Sequence, residues 1–246
     1  MTPKSLAIRL GGAVAPAATL LGAIIAVTAA GTTLAMAADR SHPVVVELFQ
    51  SQGCSSCPPA NANVLALADR PDVLALSFQV TYWDQLGWKD TFASPKFTER
   101  QWDYARTLKH SQVWTPQVVV NGRIDTLGTR RGEIEQVIAR ADRGTGGPSV
   151  TSEAGHITVS GAAKAATGEV WLVRYDPNII QVPIRRGENS GKTLPHRNVV
   201  RELVKLGDWS GARKDYVLPR AGPANLKSAI LVQQGRGGGI IAAARL

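Results

Sequence analysis

Cysteine is nearly missing from this chain: 246 residues contain two. Methionine is equally rare, at two, and histidine numbers four. A zinc site usually draws on four ligands, often as two Cys or His pairs, and no second pair is present. Met-rich or clustered His ligands of the kind that serve copper are missing as well. Beyond the N-terminal segment, no apolar run approaches the roughly 20 residues that span a bilayer. Positive charge exceeds negative, 28 Lys and Arg against 19 Asp and Glu, yet it is scattered, with only short pairs such as Arg130-Arg131 and Arg185-Arg186. No nucleic-acid motif accompanies it. The excess therefore reads as a solvated basic surface. No internal repeat is visible.

What is present begins with an export signature. Lys4 and Arg9 form a basic start, and no further charge occurs before Asp39. The stretch between is rich in Ala, Leu, Ile and Val and ends in Ala35-Met36-Ala37, a small-x-small cleavage pattern. Residues 1–37 are expected to be a signal peptide cut after Ala37. The uncharged run is long enough for an uncleaved anchor, but Pro16 and the many Gly, Ala and Thr weaken one. The expected location is secreted or periplasmic, with any membrane contact made through that segment.

The remaining chain divides by periodicity. Val44 to Phe49 is an apolar, β-rich run of the kind seen in buried parallel strands. A helix is expected over Pro58 to Asp69, a strand over Val73 to Val80, a helix over Pro95 to Lys109 and a strand over Gln117 to Val120. Asn121-Gly122 turns the chain into Arg123-Ile124-Asp125, and a helix over Gly132 to Arg140 follows. Past Gly144-Thr145-Gly146-Gly147-Pro148 the pattern changes to short alternating runs. These predict strands at His156–Ser160, Glu169–Tyr175, Asn198–Leu206, Lys214–Leu218, Ser228–Gln234 and Ile240–Ala244. The expected organisation is an α/β domain over 42–143 with a helical insertion at 82–110, then a mainly antiparallel, sandwich-like β domain over 149–246.

Both cysteines lie in Gly53-Cys54-Ser55-Ser56-Cys57-Pro58-Pro59, between the first strand and the first helix. A helix N-terminus favours thiolate. Cys54, expected to be the exposed sulfur, is assigned as nucleophile with a pKa below the free value of about 8.5, and Cys57 as the resolving thiol. A static disulfide across so short a loop removes little chain entropy, about 2 kcal/mol. Redox chemistry is therefore preferred over a staple or a metal site.

The order β-α-β-α-β-β-α with CxxC at a strand end resembles the thioredoxin pattern. That resemblance implies a cis-proline before the third strand, which would be Pro116, with Thr115 facing the substrate. It also implies a buried acid on the first strand that handles protons for the resolving thiol. Glu47 is the candidate, although it lies seven residues before Cys54 where about six is usual. Proton relay and a satisfied structural carboxylate are both open for it.

Over nearly the whole mature length the chain resembles a bacterial secreted thioredoxin-like family named only as a domain of unknown function. The matching residues are Val46-Glu47-Leu48-Phe49, Gly53 to Ala60, Tyr82-Trp83-Asp84, Leu86 to Asp90, Thr115-Pro116-Gln117, Arg186 to Asn189 and Asn198 to Arg201. Relatives commonly carry His-Val-Asp where this chain has Gln79-Val80-Thr81, so an imidazole and a carboxylate are missing here. Trp83 and Trp88 are candidates to line a groove beside the cysteines, or simply anchors for their segment. Arg186 to Asn189 reads as a turn within the β half in preference to a loop reaching the cysteines. His196 and Arg201 read as solvated or locally salt-bridged.

The resulting expectation is an envelope thiol–disulfide oxidoreductase. Its catalytic residues would be Cys54, Cys57, Pro116 and Glu47, its substrate-binding residues Thr115, Trp83 and Trp88. It would need no metal and no cofactor beyond the Cys54–Cys57 disulfide, and its partners would be protein or small-molecule thiols and disulfides. The alternatives are a binding module with a permanent disulfide and a soft-metal carrier such as one for copper.

Overall fold

Seven consecutive buried residues, Val44–Gln50, make strand β1, as a run of β-branched and aromatic residues covered on both sides should. The computed structural model that shows this describes residues 1–2, 37–161, 167–220 and 222–246. The expected signal peptide falls on residues 3–36, outside the described residues.

In chain order, β1 is followed by α1 (Cys57–Leu67), β2 (Val73–Gln79), α2 (Pro95–Thr107), β3 (Gln117–Val120), β4 (Ile124–Thr126) and α3 (Arg131–Ala141). Next come β5 (Ser149–Glu153), β6 (His156–Ser160), β7 (Gly168–Asp176), β8 (Ile180–Pro183) and β9 (Thr193–His196). The chain closes with β10 (Val199–Trp209), β11 (Lys214–Val217), β12 (Lys227–Gln233) and β13 (Ile240–Arg245). Prolines stand in the first turns of α1 and α2, where a missing N–H costs no helix bond. Helix α1 stops before Arg70-Pro71, since a residue preceding proline avoids the helical region.

The result is a mixed α/β fold dominated by one large, mostly antiparallel sheet. Its eight strands run β13-β12-β7-β10-β2-β1-β3-β4. Strand β1 pairs in parallel with β2, from Val44 opposite Val73 to Gln50 opposite Gln79, and antiparallel with β3. One face packs α2 through Phe97 and Tyr104 against Val45, Phe49, Leu76 and Phe78. The opposite face packs α1 and α3 against Val44, Val46, Leu48 and Val118. There β6 and β11 also set Ile157, Val159 and Tyr216 against Val170, Leu172, Ile230 and Val232, a local two-sheet sandwich.

The expected partition into 42–143 and 149–246 does not hold as two bodies. Residues 37–246 belong to one compact unit. Strand β10 pairs in parallel with β2 at Val199 opposite Ser77, and Asn198 Nδ2 donates to the Ala75 carbonyl at 2.8 Å. The sheet is therefore shared by both halves. The 82–110 segment differs from the expectation too: α2 buries Phe97, Arg100, Tyr104 and Ala105 and belongs to the main packing.

Candidate functional site

The end of β1 leads straight into the cysteine turn. Cys54 and Cys57 are joined as a disulfide with 5.4 Å between their Cα atoms, and Cys57 is the first residue of α1. The Cys57 N–H donates to the Cys54 carbonyl at 3.2 Å, and the Cys54 N–H to the Ser51 carbonyl at 3.2 Å. Ser56 Oγ lies 3.3 Å from Cys54 Sγ. Ser55 and Ser56 are exposed, but the cysteines are not: Cys54 is 0% and Cys57 2% accessible. This corrects the expectation of an exposed Cys54.

A hairpin that the sequence reading missed is bonded to the cysteine turn. Strands β8 and β9 pair at Val182 opposite Leu194. The loop between them is closed by Ile184 N–H to the Lys192 carbonyl at 2.8 Å and Gly191 N–H to the Ile184 carbonyl at 2.9 Å. From this loop Asn189, fully buried, donates through Nδ2 to the carbonyls of Gln52 at 3.0 Å and Cys54 at 2.8 Å. Glu188 Oε2 accepts the Ser55 N–H at 3.1 Å, and hydrogen bonds from Ser55 hold its carboxyl below the usual carboxylate range. Arg186 to Asn189 is thus not merely a turn of the β half. Gly187, at a φ of 75°, lets the loop close: a Cβ there would stand 3.3 Å from Trp88 Cβ. The hairpin is fastened at its far side by Asn61 of α1, whose Nδ2 donates to the Pro195 carbonyl at 2.6 Å.

The segment after β2 closes another side. Trp88 Nε1 donates to Gln52 Oε1 at 3.0 Å, and its ring packs with Phe92 on Val182, Ile184 and Leu194. Trp83 is half-buried against the α2-side core. Asp90, the last residue of the Leu86 to Asp90 match, is buried and accepts the N–H groups of Gln52 at 2.7 Å and Phe92 at 2.8 Å. Burial pushes its carboxyl up to about 6. His196 is also buried rather than solvated, with neither ring nitrogen hydrogen-bonded among the described residues and its ring edge-on to Phe92. Burial pushes it down to about 4. Arg201 is exposed, as the solvated reading expects, and its guanidinium lies over the Phe92 ring at 4.6 Å.

Thr115-Pro116 is a cis peptide. Because Gln117 stands opposite Phe49, the dipeptide sits at the end of the sheet from which the cysteine turn departs. Thr115 is half-buried and Pro116 buried.

Glu47 does not join them. It carries the ion pair of the α2 face: Arg100 Nε donates to Oε1 at 2.7 Å and Nη2 to Oε2 at 3.2 Å, and the Tyr104 hydroxyl donates to Oε2. Strand parity explains the mismatch. Leu48, Val46 and Val44 face α1, so Glu47 faces the other way. The β1–β2 register is unbroken, so no bulge reverses it. Of the two readings open for Glu47, the structure supports the satisfied carboxylate. Among the described residues, no three His, Cys, Asp or Glu side chains gather as a metal-binding group.

Residues 45–233 match the family described as Protein of unknown function (DUF1223), and the chain belongs to that family. It is similar to a protein of Agrobacterium tumefaciens solved by X-ray crystallography as a structural-genomics target. The two share 30% identity with a TM-score of 0.69, over 85% of this chain and 94% of that one. It also shares its fold with HBP35 of Porphyromonas gingivalis, at 14% identity and a TM-score of 0.56, over 86% of this chain and 76% of that one. No curated protein matches it.

Proposed function

We propose that this DUF1223 protein is an envelope thiol–disulfide oxidoreductase with a thioredoxin-like half, acting through Cys54 and Cys57 on protein or small-molecule disulfides. The observation that carries this reading is the use of the whole cysteine inventory in one disulfide at the junction of β1 and α1. The order β1-α1-β2-α2-β3-β4-α3 and the sheet order β2-β1-β3-β4 support it. So does the cis Thr115-Pro116 bond at the same sheet end.

The chemistry runs by exchange. In the dithiol form the Cys54 thiolate attacks a substrate sulfur, the substrate disulfide breaks, and its leaving thiolate takes up a proton. Cys57 then attacks Cys54 in the mixed disulfide, closing the Cys54–Cys57 bond and releasing the second substrate thiol. Two electrons pass to the substrate. Trp83, Trp88 and Thr115 would line the approach. The reduced protein, freed of residues 1–37, is expected to reduce a model protein disulfide or glutathione disulfide, and Cys54→Ser to abolish this. Failure with both substrates would reject the reading.

A second reading follows from a specific observation, the burial of both cysteines in a turn whose backbone the β8–β9 loop bonds. It is a binding module with a permanent disulfide. Wild-type cellular function in a Cys54→Ser, Cys57→Ser variant would select it.

A further inference from the structure

Both cysteines are buried, and Asn189 and Glu188 bond the backbone of their turn in a chemically specific way. A thiolate at Cys54 would need donors. Pro58 and Pro59 have no N–H to offer in the first turn of α1. The Cys57 N–H is bonded to the Cys54 carbonyl, and the Ser55 N–H to the Glu188 carboxylate. The Ser56 hydroxyl, 3.3 Å from Cys54 Sγ, can donate to the sulfur but carries no charge to offset a thiolate. Glu188 therefore adds a negative charge beside the position where a second would form, and takes an amide that could have stabilised it. Two like charges near one site disfavour the second ionisation.

We propose that the Ile184–Lys192 loop is a redox-coupled clamp on the cysteine pair. Asn189 and Glu188 act as positioning residues that hold the Cys54 backbone, bar access to its sulfur, and favour the disulfide over the dithiol. The inference rests on the oxidoreductase reading and adds a control to it. Reduction by an external dithiol breaks the Cys54–Cys57 bond, leaves two electrons and two protons on the two thiols, and turns the dithiol into its own disulfide. Once Cys54 ionises, its repulsion of Glu188 weakens the Ser55 contact, and the loop opens to admit a partner.

The test is equilibration of wild type, Glu188→Gln and Asn189→Ala with reduced and oxidised glutathione, together with titration of the Cys54 thiol in each reduced form. Glu188→Gln keeps an acceptor for Ser55 but removes the charge. It is expected to lower the Cys54 pKa and move the equilibrium about two- to threefold toward the dithiol at low salt, an effect that shrinks at high salt because Glu188 is exposed. Asn189→Ala loses both hydrogen bonds to the cysteine turn and is expected to speed reduction by dithiothreitol about thirtyfold, at roughly 1 kcal/mol per bond. Hydrogen exchange of residues 184–192 should quicken on reduction of the wild type. If Asn189→Ala does not fold, Glu188→Gln alone decides. A wild type that exchanges normally, with a Glu188→Gln variant of unchanged equilibrium and thiol pKa, overturns the clamp and leaves the oxidoreductase reading standing. A wild-type pair that exchanges with no thiol or disulfide overturns both.

Discussion

Glu47 and Arg100 illustrate what a single charged residue does inside an apolar layer. Buried at 0% and 5% exposure, the two offset each other's loss of hydration, with the Tyr104 hydroxyl as a further partner. Removing one partner leaves an uncompensated charge. Arg100→Met is thus expected to lower stability by about 3–5 kcal/mol in denaturant unfolding. Because the pair faces α2, the variant should leave the alkylation rate of reduced Cys54 at the wild-type value. A large change in that rate would return Glu47 to the thiol chemistry. The sequence made the acid at this position visible, but the face it occupies follows from strand parity, and one residue of spacing reverses that parity.

At the scale of elements, the β8–β9 hairpin and the Asp90 turn close the cysteine site with two oppositely titrating groups. Asp90 has a folded pKa of about 6 against 3.8 for an unperturbed aspartate. Its protonation favours the folded state, so a penalty of about 3 kcal/mol is present above pH 6 and disappears as pH falls toward 4. His196 runs the other way, from 6.5 down to about 4. The unfolded chain binds its proton first, so a contribution of similar size is lost as pH falls from 6.5 to 4. Asp90→Asn is expected to make the protein more acid-sensitive than wild type between pH 7 and 4.5, and His196→Phe less so, in urea unfolding at each pH. Parallel curves for all three proteins would refute the assignment. These elements were poorly legible. Pro183 and Pro195 interrupt the two short runs of the hairpin, and proline demotes a strand signal. Strand β5 is likewise polar and largely exposed, with little periodicity to read. The long buried strands β1 and β2 and helices α1, α2 and α3 were legible because burial on defined faces imposes a clear pattern.

For the whole molecule, the shared sheet matters most. Composition and periodicity change at Gly144–Pro148, and that change invited a domain boundary. Pairing of β10 with β2 is invisible to local pattern, because it joins residues 122 positions apart at Val199 and Ser77. One core should mean one transition. Calorimetry of the protein without residues 1–37 is expected to give a single cooperative melt with equal calorimetric and van't Hoff enthalpies. Two resolved melts would restore the two-domain description. The Asn189 and Glu188 contacts have the same long-range character, and they impose an order in time. Cys54 and Cys57 leave the ribosome well before Glu188, which meets Ser55 across 133 residues of chain. The disulfide can therefore form in an open, unfinished site and be sealed only when the later segment arrives, so that oxidation during chain delivery and oxidation after folding meet two different barriers.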